Sequence, residues 1–218
     1  IEWVGWMANV STTVEKILQE VRNLQRSEIA EVAEAFDVEK QVGSSTMAHK
    51  RNPITAENAC GLARIVRSMI SPSYENALLW HERDLANSSS ERFTLSHSMI
   101  LLDDIIAKCD KVMSRLVVDR DRMLQNIESQ KGLVMAEKIM LALVDSNMPR
   151  DEAHEVLRSC SMEALSTGRH LKAVCSENSQ ISSVFDENEL NYLFSPESHL
   201  GVSGEIVDNA VSIARGLM

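Results

Sequence analysis

The chain has 218 residues, 44% of them hydrophobic, enough to bury a core in one domain or two small ones, which excludes a disordered chain. Its formal net charge of −10 argues against nonspecific binding to nucleic acid or to an anionic membrane, while leaving room for a local basic pocket that takes a phosphorylated metabolite. Cys60, Cys109, Cys160 and Cys175 are widely spaced, with no Cys-x-x-Cys pair and no His at zinc-site spacing.

The cysteines read as thiols buried in a reducing compartment, and with no run of about 20 apolar residues and no leader-like segment the expected location is the cytoplasm. No metal and no cofactor are expected, since no metal-ligand spacing and no Gly-rich phosphate or dinucleotide loop occurs. The chain starts with Ile inside a helical pattern, from which a longer natural protein is expected.

In chain order, the apolar positions Trp3, Met7, Val10, Val14, Ile17, Val21 and Leu24 alternate spacings of four and three, which predicts a long bundle helix. Acidic and small residues follow, with a stop to the helical run expected near Phe36 and Asp37. The segment Gly43-Ser44-Ser45-Thr46-Met47-Ala48-His49-Lys50-Arg51-Asn52-Pro53 breaks the pattern. It groups hydroxyls, an imidazole, cations and an amide, ahead of a helix with Asn52 as expected N-cap and Pro53 in its first turn. Such a composition suits either a solvated linker or a loop that holds an anion against free helix N–H groups.

A second helix is expected from Pro53 to about Ser71, ended by Pro72, with Gly61 marking close packing. Ser88 and Glu91 have capping-box spacing and predict a third helix with the stripe Leu95, Met99, Leu102, Ile106, Cys109, Met113 and Leu116. Asp119 is the expected N-cap of the next. The domain boundary is set there, giving residues 1–118 as bundle and 119–218 as a small helical domain. Shorter helices are expected at Val134 to Val144, Asp151 to Leu165, His170 to Cys175, Asn188 to Phe194 and Ser203 to Leu217, separated by Asn147-Met148-Pro149, Gly168, Ser176 to Ser183 and Ser195 to Gly201. No strand is expected, so the fold class is all-α.

The run from Gly43 to Pro53, with Glu57 after it, resembles the signature loop of the fumarase/aspartase superfamily. It departs from the family pattern only at Ala48, where proline is usual, and looser loop ordering without loss of activity is expected from that change. The runs Val21 to Glu28 and Leu79 to Arg92 resemble the adenylosuccinate lyase family within that superfamily, and Ser195 to Gly201 resembles one of the superfamily's C-terminal elements. The resemblance implies a long-helix bundle and C–N bond cleavage by β-elimination, releasing fumarate from adenylosuccinate and from the succinylaminoimidazole carboxamide ribotide of purine synthesis. It implies a homotetramer whose active sites draw on several subunits.

Residue by residue, the resemblance makes Ser44 the general base. Lys50 becomes the cation that stabilises the aci-carboxylate, with Asn52 clamping the same carboxylate, and Glu57 the group that orients a general-acid His. Ser45 and Met47 join Asn52 in binding substrate, while Arg83, Ser88 and Arg92 bind the nucleotide, the last two at its phosphate. None of the six histidines sits at the family's general-acid motif, so no general acid is assigned. Argininosuccinate lyase, another lyase of the superfamily, and a noncatalytic helical assembly protein or inactive fragment are the alternative readings.

Overall fold

A computed structural model describes residues 1–35 and 51–217. Phe36 and Asp37, and the part of the signature run from Gly43 to Lys50 that carries Ser44, Ser45, Met47 and Lys50, lie outside the described residues. Contacts divide the chain into two compact units, Ile1–Met123 and Leu124–Met218. Among the described residues almost all regular structure is helical, and the fold is all-α.

In the first unit α1 (Glu2–Leu24), α2 (Ile54–Ser68) and α5 (Ser96–Met113) pack around one core. The α2 face in that core is made of small side chains, Ala56, Ala59, Cys60 and Ala63, together with Val66. They let α2 come close to Met7 and Leu18 of α1 and Leu102 and Ile105 of α5, all buried. Each large apolar side chain buried in this way contributes about 1.5–3 kcal/mol. Glu15 on α1 also pairs with Arg67 and, at 3.7 Å, with Arg64 on α2.

The buried faces differ from the expected stripes. On α1, Val4, Met7, Ala8, Ser11, Leu18 and Val21 are buried, while Trp3 and Ile17 are exposed and Trp3 stacks on Trp6 with ring centroids 4.8 Å apart. On α5, Ser98, Leu102, Ile105 and Val112 are buried, and Met99, Ile106 and Met113 are exposed. Both helices carry apolar residues on more than one face, and spacing alone does not rank the faces.

The short elements also depart from expectation. α1 ends at Leu24, well before Phe36, and the chain then forms β1 (Val32–Ala33), which pairs antiparallel with β2 (Val117–Val118), a two-residue ladder too short to leave an alternating pattern. α2 ends at Ser68, not at Pro72, because the helix resets at Met69 and Pro72 falls in the first turn of α3 (Ile70–Glu75), where its missing N–H costs nothing. A Cβ on Gly61 would meet nothing within 4 Å, so that glycine does not mark a close contact within the described chain. The expected third helix is broken at Leu95 into α4 (Ala86–Thr94) and α5.

α6 (Arg120–Ser129) begins as expected on Asp119, whose carboxylate accepts the Arg122 N–H at 2.9 Å. The second unit follows as α7 (Ala136–Asp145), α8 (Arg150–Thr167), α9 (Leu171–Glu177), α10 (Ser179–Ser182), α11 (Glu187–Leu193) and α12 (Ser203–Gly216). Its core joins Ile139 and Leu143 of α7, Leu157 and Cys160 of α8, Leu171 and Cys175 of α9, and Ile181 and Leu190. The Ser-rich stretch expected as a separator holds α10, whose N-cap Asn178 accepts from Gln180 and Ile181 N–H. None of the helices is long and apolar enough to cross a membrane, among the described residues.

Candidate functional site

A cleft of about 760 Å³ in the first unit is lined by Gln19, Arg22, Asn23, Gln25, Arg26, Ser27, Arg51, Asn52, Pro53 and Glu57. It lies where the last turn of α1 meets the start of α2. Arg22 and Arg26 stand four residues apart along the last turn of α1 and just past it, and Arg51 comes from the chain entering α2. Among the described residues, three guanidinium groups and one carboxylate therefore line a cleft in a chain whose net charge is −10. Such local positive charge attracts a dianion against the overall field. Arg22 Nη1 donates to Gln19 Oε1 at 2.7 Å, which fixes its guanidinium in the wall.

The N-terminus of α2 is capped differently from the sequence expectation. Asn52 is not its N-cap: the helix starts at Ile54, Pro53 holds the cap position, and Asn52 offers its carbonyl to the Ile54 N–H at 2.9 Å. Nor are the helix N–H groups left for an anionic ligand. The Glu34 carboxylate accepts from Thr55 N–H at 3.1 and 3.2 Å and from Ala56 N–H at 3.1 Å, and the Glu57 N–H goes to the Pro53 carbonyl at 2.8 Å. Glu57 lies in the first turn of α2, as expected, and is one of the residues lining the cleft.

Arg83, Ser88 and Arg92 are not among the residues lining this cleft. Ser88 is not a helix cap and makes no capping box with Glu91. α4 starts two residues before it with Leu85 at the cap position, and Asp84 braces the turn just ahead, its carboxylate accepting from Ala86 N–H at 2.8 Å and Trp80 N–H at 2.9 Å. Those two N–H groups hold the Asp84 carboxyl below the usual carboxylate range, the Ala86 bond more than the Trp80 bond. Ser88 lies in the first turn of α4 and Arg92 one turn on, in its last turn, so the two share a face; Arg83 and Arg92 are exposed, as is Trp80. Ser44, Ser45, Met47 and Lys50 fall outside the described residues.

Two sets of residues in or beside the cleft were missed. Arg22 and Arg26 sit in the run from Val21 to Glu28, and their spacing of four, about one helical turn, was the available signal. Gln25 and Glu34 gave none, because their bonds reach to residues far along the chain.

Known proteins resemble this chain over nearly all of its length. Residues 1–68 match the family model described as Lyase, and residues 132–210 match that described as Adenylosuccinate lyase C-terminus. The adenylosuccinate lyase of Methanothermobacter thermautotrophicus is 45% identical over 210 residues, covering 96% of this chain and 47% of the relative. That of Pyrococcus abyssi is 46% identical over 211 residues, covering 97% and 46%. Among solved structures, a 3-carboxy-cis,cis-muconate lactonizing enzyme from Pseudomonas putida superposes with a TM-score of 0.87 at 30% identity, covering 97% of this chain and 46% of that one. A fumarate lyase from Mesorhizobium sp. BNC1 superposes with a TM-score of 0.85 at 25% identity, with the same coverage. The chain thus spans about half the length of the curated relatives it matches. The signature run, the flanking motifs and these likenesses all point to the adenylosuccinate lyase family of the fumarase/aspartase superfamily.

Proposed function

We propose that the protein is an adenylosuccinate lyase that eliminates fumarate from adenylosuccinate, leaving AMP, and from the corresponding succinylaminoimidazole carboxamide ribotide. The observation that carries the reading is the cationic cleft built by Arg22, Arg26 and Arg51 beside Asn52 and Glu57, at the point where the signature run enters α2. The substrates carry two carboxylates and a phosphate. An acidic chain that gathers guanidinium groups in one cleft offers the charge such a ligand needs.

In this reading Ser44 takes a proton from the methylene carbon of the succinyl group. The electron pair moves into the adjacent carboxylate, giving an aci-carboxylate that Lys50 and Asn52 stabilise. That pair then forms the carbon–carbon double bond of fumarate as the C–N bond breaks, and the departing nitrogen receives a proton from a general acid. Glu57 orients that acid, for which no histidine of this chain is assigned. Ser45 and Met47 hold the dicarboxylate end. Arg83, Ser88 and Arg92 hold the nucleotide, with Ser88 and Arg92 on one face of α4 at the phosphate.

Arg83, Ser88 and Arg92 do not line the same cleft as Arg51 and Glu57, which suits an active site completed between copies in a homotetramer. The exposed apolar side chains Trp3, Ile17, Met99, Ile106 and Met113 on the bundle helices give such copies a surface to bury. Four free cysteines, three of them buried, fit a reducing cytoplasm.

The test measures fumarate release by the full-length protein from adenylosuccinate, argininosuccinate and, because of the Pseudomonas putida likeness, lactone formation from 3-carboxymuconate. Turnover of adenylosuccinate with a loss of about 10²–10⁴-fold in kcat for Ser44→Ala supports the reading. Preference for another substrate moves the protein to that activity, and an unchanged rate in Ser44→Ala removes the catalytic role of the signature run.

A further inference from the structure

Gln25 and Glu34 are tied to the cleft by a set of bonds that no part of the lyase reading uses. The Oε1 of Gln25 accepts the Glu34 N–H at 2.8 Å, and its Nε2 donates to the Arg51 carbonyl at 3.2 Å. One amide side chain, directly after α1, thereby ties the backbone at residue 34 to the backbone at residue 51. Glu34 continues the connection, since its carboxylate takes the Thr55 and Ala56 N–H groups and supplies the cap that Pro53 cannot. A carboxylate is also the charge that a helix N-terminus favours.

The anchor behind Glu34 is firm. Val32 and Ala33 pair with Val118 and Val117, the Asp119 N–H goes to the Glu31 carbonyl at 2.9 Å, and Arg122 donates to the Ile29 carbonyl at 3.0 Å. From β2 through β1 to Glu34, and from α1 through Gln25, fixed points converge on the first turn of α2. The residues whose positions they set are Arg51, Asn52 and Glu57.

We propose that Gln25 and Glu34 are positioning residues for the elimination: without touching substrate, they fix the register in which Arg51, Asn52 and Glu57 line the cleft. The proposal rests on the lyase reading of that cleft. Neither residue is a general acid or base here, because every polar atom named above is engaged with backbone. Their effect runs through geometry, and a displacement of about 1 Å in a positioned group lowers a rate by up to about 100-fold.

The experiment compares Gln25→Leu, Glu34→Leu and Glu34→Gln in the full-length protein, with Glu15→Gln as a control that loosens α1 against α2 outside the cleft. For Gln25→Leu and Glu34→Leu the expected result is a fall of about 10- to 100-fold in kcat/KM on adenylosuccinate, with a higher inhibition constant for fumarate. Glu34→Gln keeps an oxygen for the Thr55 and Ala56 N–H groups and recovers most of the loss. Glu15→Gln leaves the kinetics of the folded protein unchanged, which separates positioning from stability.

Hydrogen exchange at Thr55 and Ala56 is read on the same proteins and speeds up in Glu34→Leu. The proposal is overturned if the Leu variants keep wild-type kinetics, if Glu34→Gln is no better than Glu34→Leu, or if exchange at those amides does not change. If the wild-type protein turns over no adenylosuccinate, the lyase reading fails by itself. Positioning in the cleft is then decided by the exchange result, with unchanged exchange overturning it.

Discussion

Substituting Gly132 by alanine tests how the second unit is pinned together. Gly132 has φ +79°, and a Cβ there would lie 2.5 Å from His170 Cε1 and 3.0 Å from Phe194 Cε1. The imidazole has nowhere to go without losing bonds. Its Nδ1 accepts the Lys172 N–H at 3.1 Å as the N-cap of α9, its Nε2 lies 3.3 Å from Glu128 Oε1, and its ring packs on Phe194 with centroids 5.7 Å apart. A left-handed alanine costs about 1–2 kcal/mol, overpacking about 1–3, and a lost helix cap about 0.5–2. Together these give a loss of roughly 2.5–7 kcal/mol, a large part of a domain's stability of about 5–15 kcal/mol.

Gly168→Ala is the matched control. Gly168 also has positive φ, +68°, but a Cβ there meets only Lys131 Nζ at an ordinary 3.6 Å, so the backbone cost of about 1–2 kcal/mol stands alone. Urea unfolding followed by circular dichroism gives both values. Adding His170→Ala to Gly132→Ala removes the collision and recovers the steric share. Equal losses for the two glycine variants would refute the argument, because they would mean that the His170 contact contributes nothing.

Further outcomes follow from two groups whose proton affinity the fold shifts. Burial, with a smaller contribution from Cys160, pushes the Cys175 thiol up to about 12, so at pH 8.5 iodoacetamide modifies Cys175 only after the chain is unfolded in urea, and equal labelling of Cys175 and Cys109 in the native protein would contradict this. Because the unfolded thiol ionises near 9.0 while the folded one stays protonated to about 12, its stabilising contribution is complete below pH 9 and is lost as the pH rises from 9 to 12, which urea midpoints across that range measure. Asp84 works in the opposite direction: its carboxyl is held low by the Ala86 and Trp80 N–H groups, so its contribution is present above the ordinary carboxylate range and is lost as the pH falls through its lower folded value. Asp84→Ala should therefore speed hydrogen exchange at Ala86 and Trp80 at neutral pH, and unchanged exchange there would show that these two bonds are not formed in solution.

The helices were legible because their apolar spacing is set by the 3.6-residue turn, which needs no partner to be read. α1, α8 and α12 lie close to where spacing put them. The face each helix buries was less legible. α5 offers both Leu102 with Ile105 and Met99 with Ile106, and the pair found inside, in one core with the small residues of α2, is Leu102 with Ile105. Caps were the weakest part of the reading, for a related reason. Ser88 and Glu91 had the right spacing, yet Asp84 was nearer the true start, and α2 is capped by Glu34 from 21 residues away, beyond any local rule. The signature run pointed to the family directly, and Glu57 lies in the first turn of α2 as the run implied.

The capping of α2 also changes where the positive charge of the cleft comes from. A helix N-terminus with unpaired N–H groups is a ready anion site, and the sequence suggested that one followed Pro53. With Glu34 on Thr55 and Ala56, that terminus is already neutralised by the chain itself. Among the described residues, the cation character of the cleft therefore rests on Arg22, Arg26 and Arg51, whose planar forks match carboxylate and phosphate oxygens better than a diffuse dipole does. What the α2 terminus contributes instead is location. On the lyase reading proposed above, Glu34 and Gln25 hold that terminus so that Asn52 and Glu57 line the same cleft as those guanidinium groups, and recognition of charge and placement of the reacting groups fall to different residues.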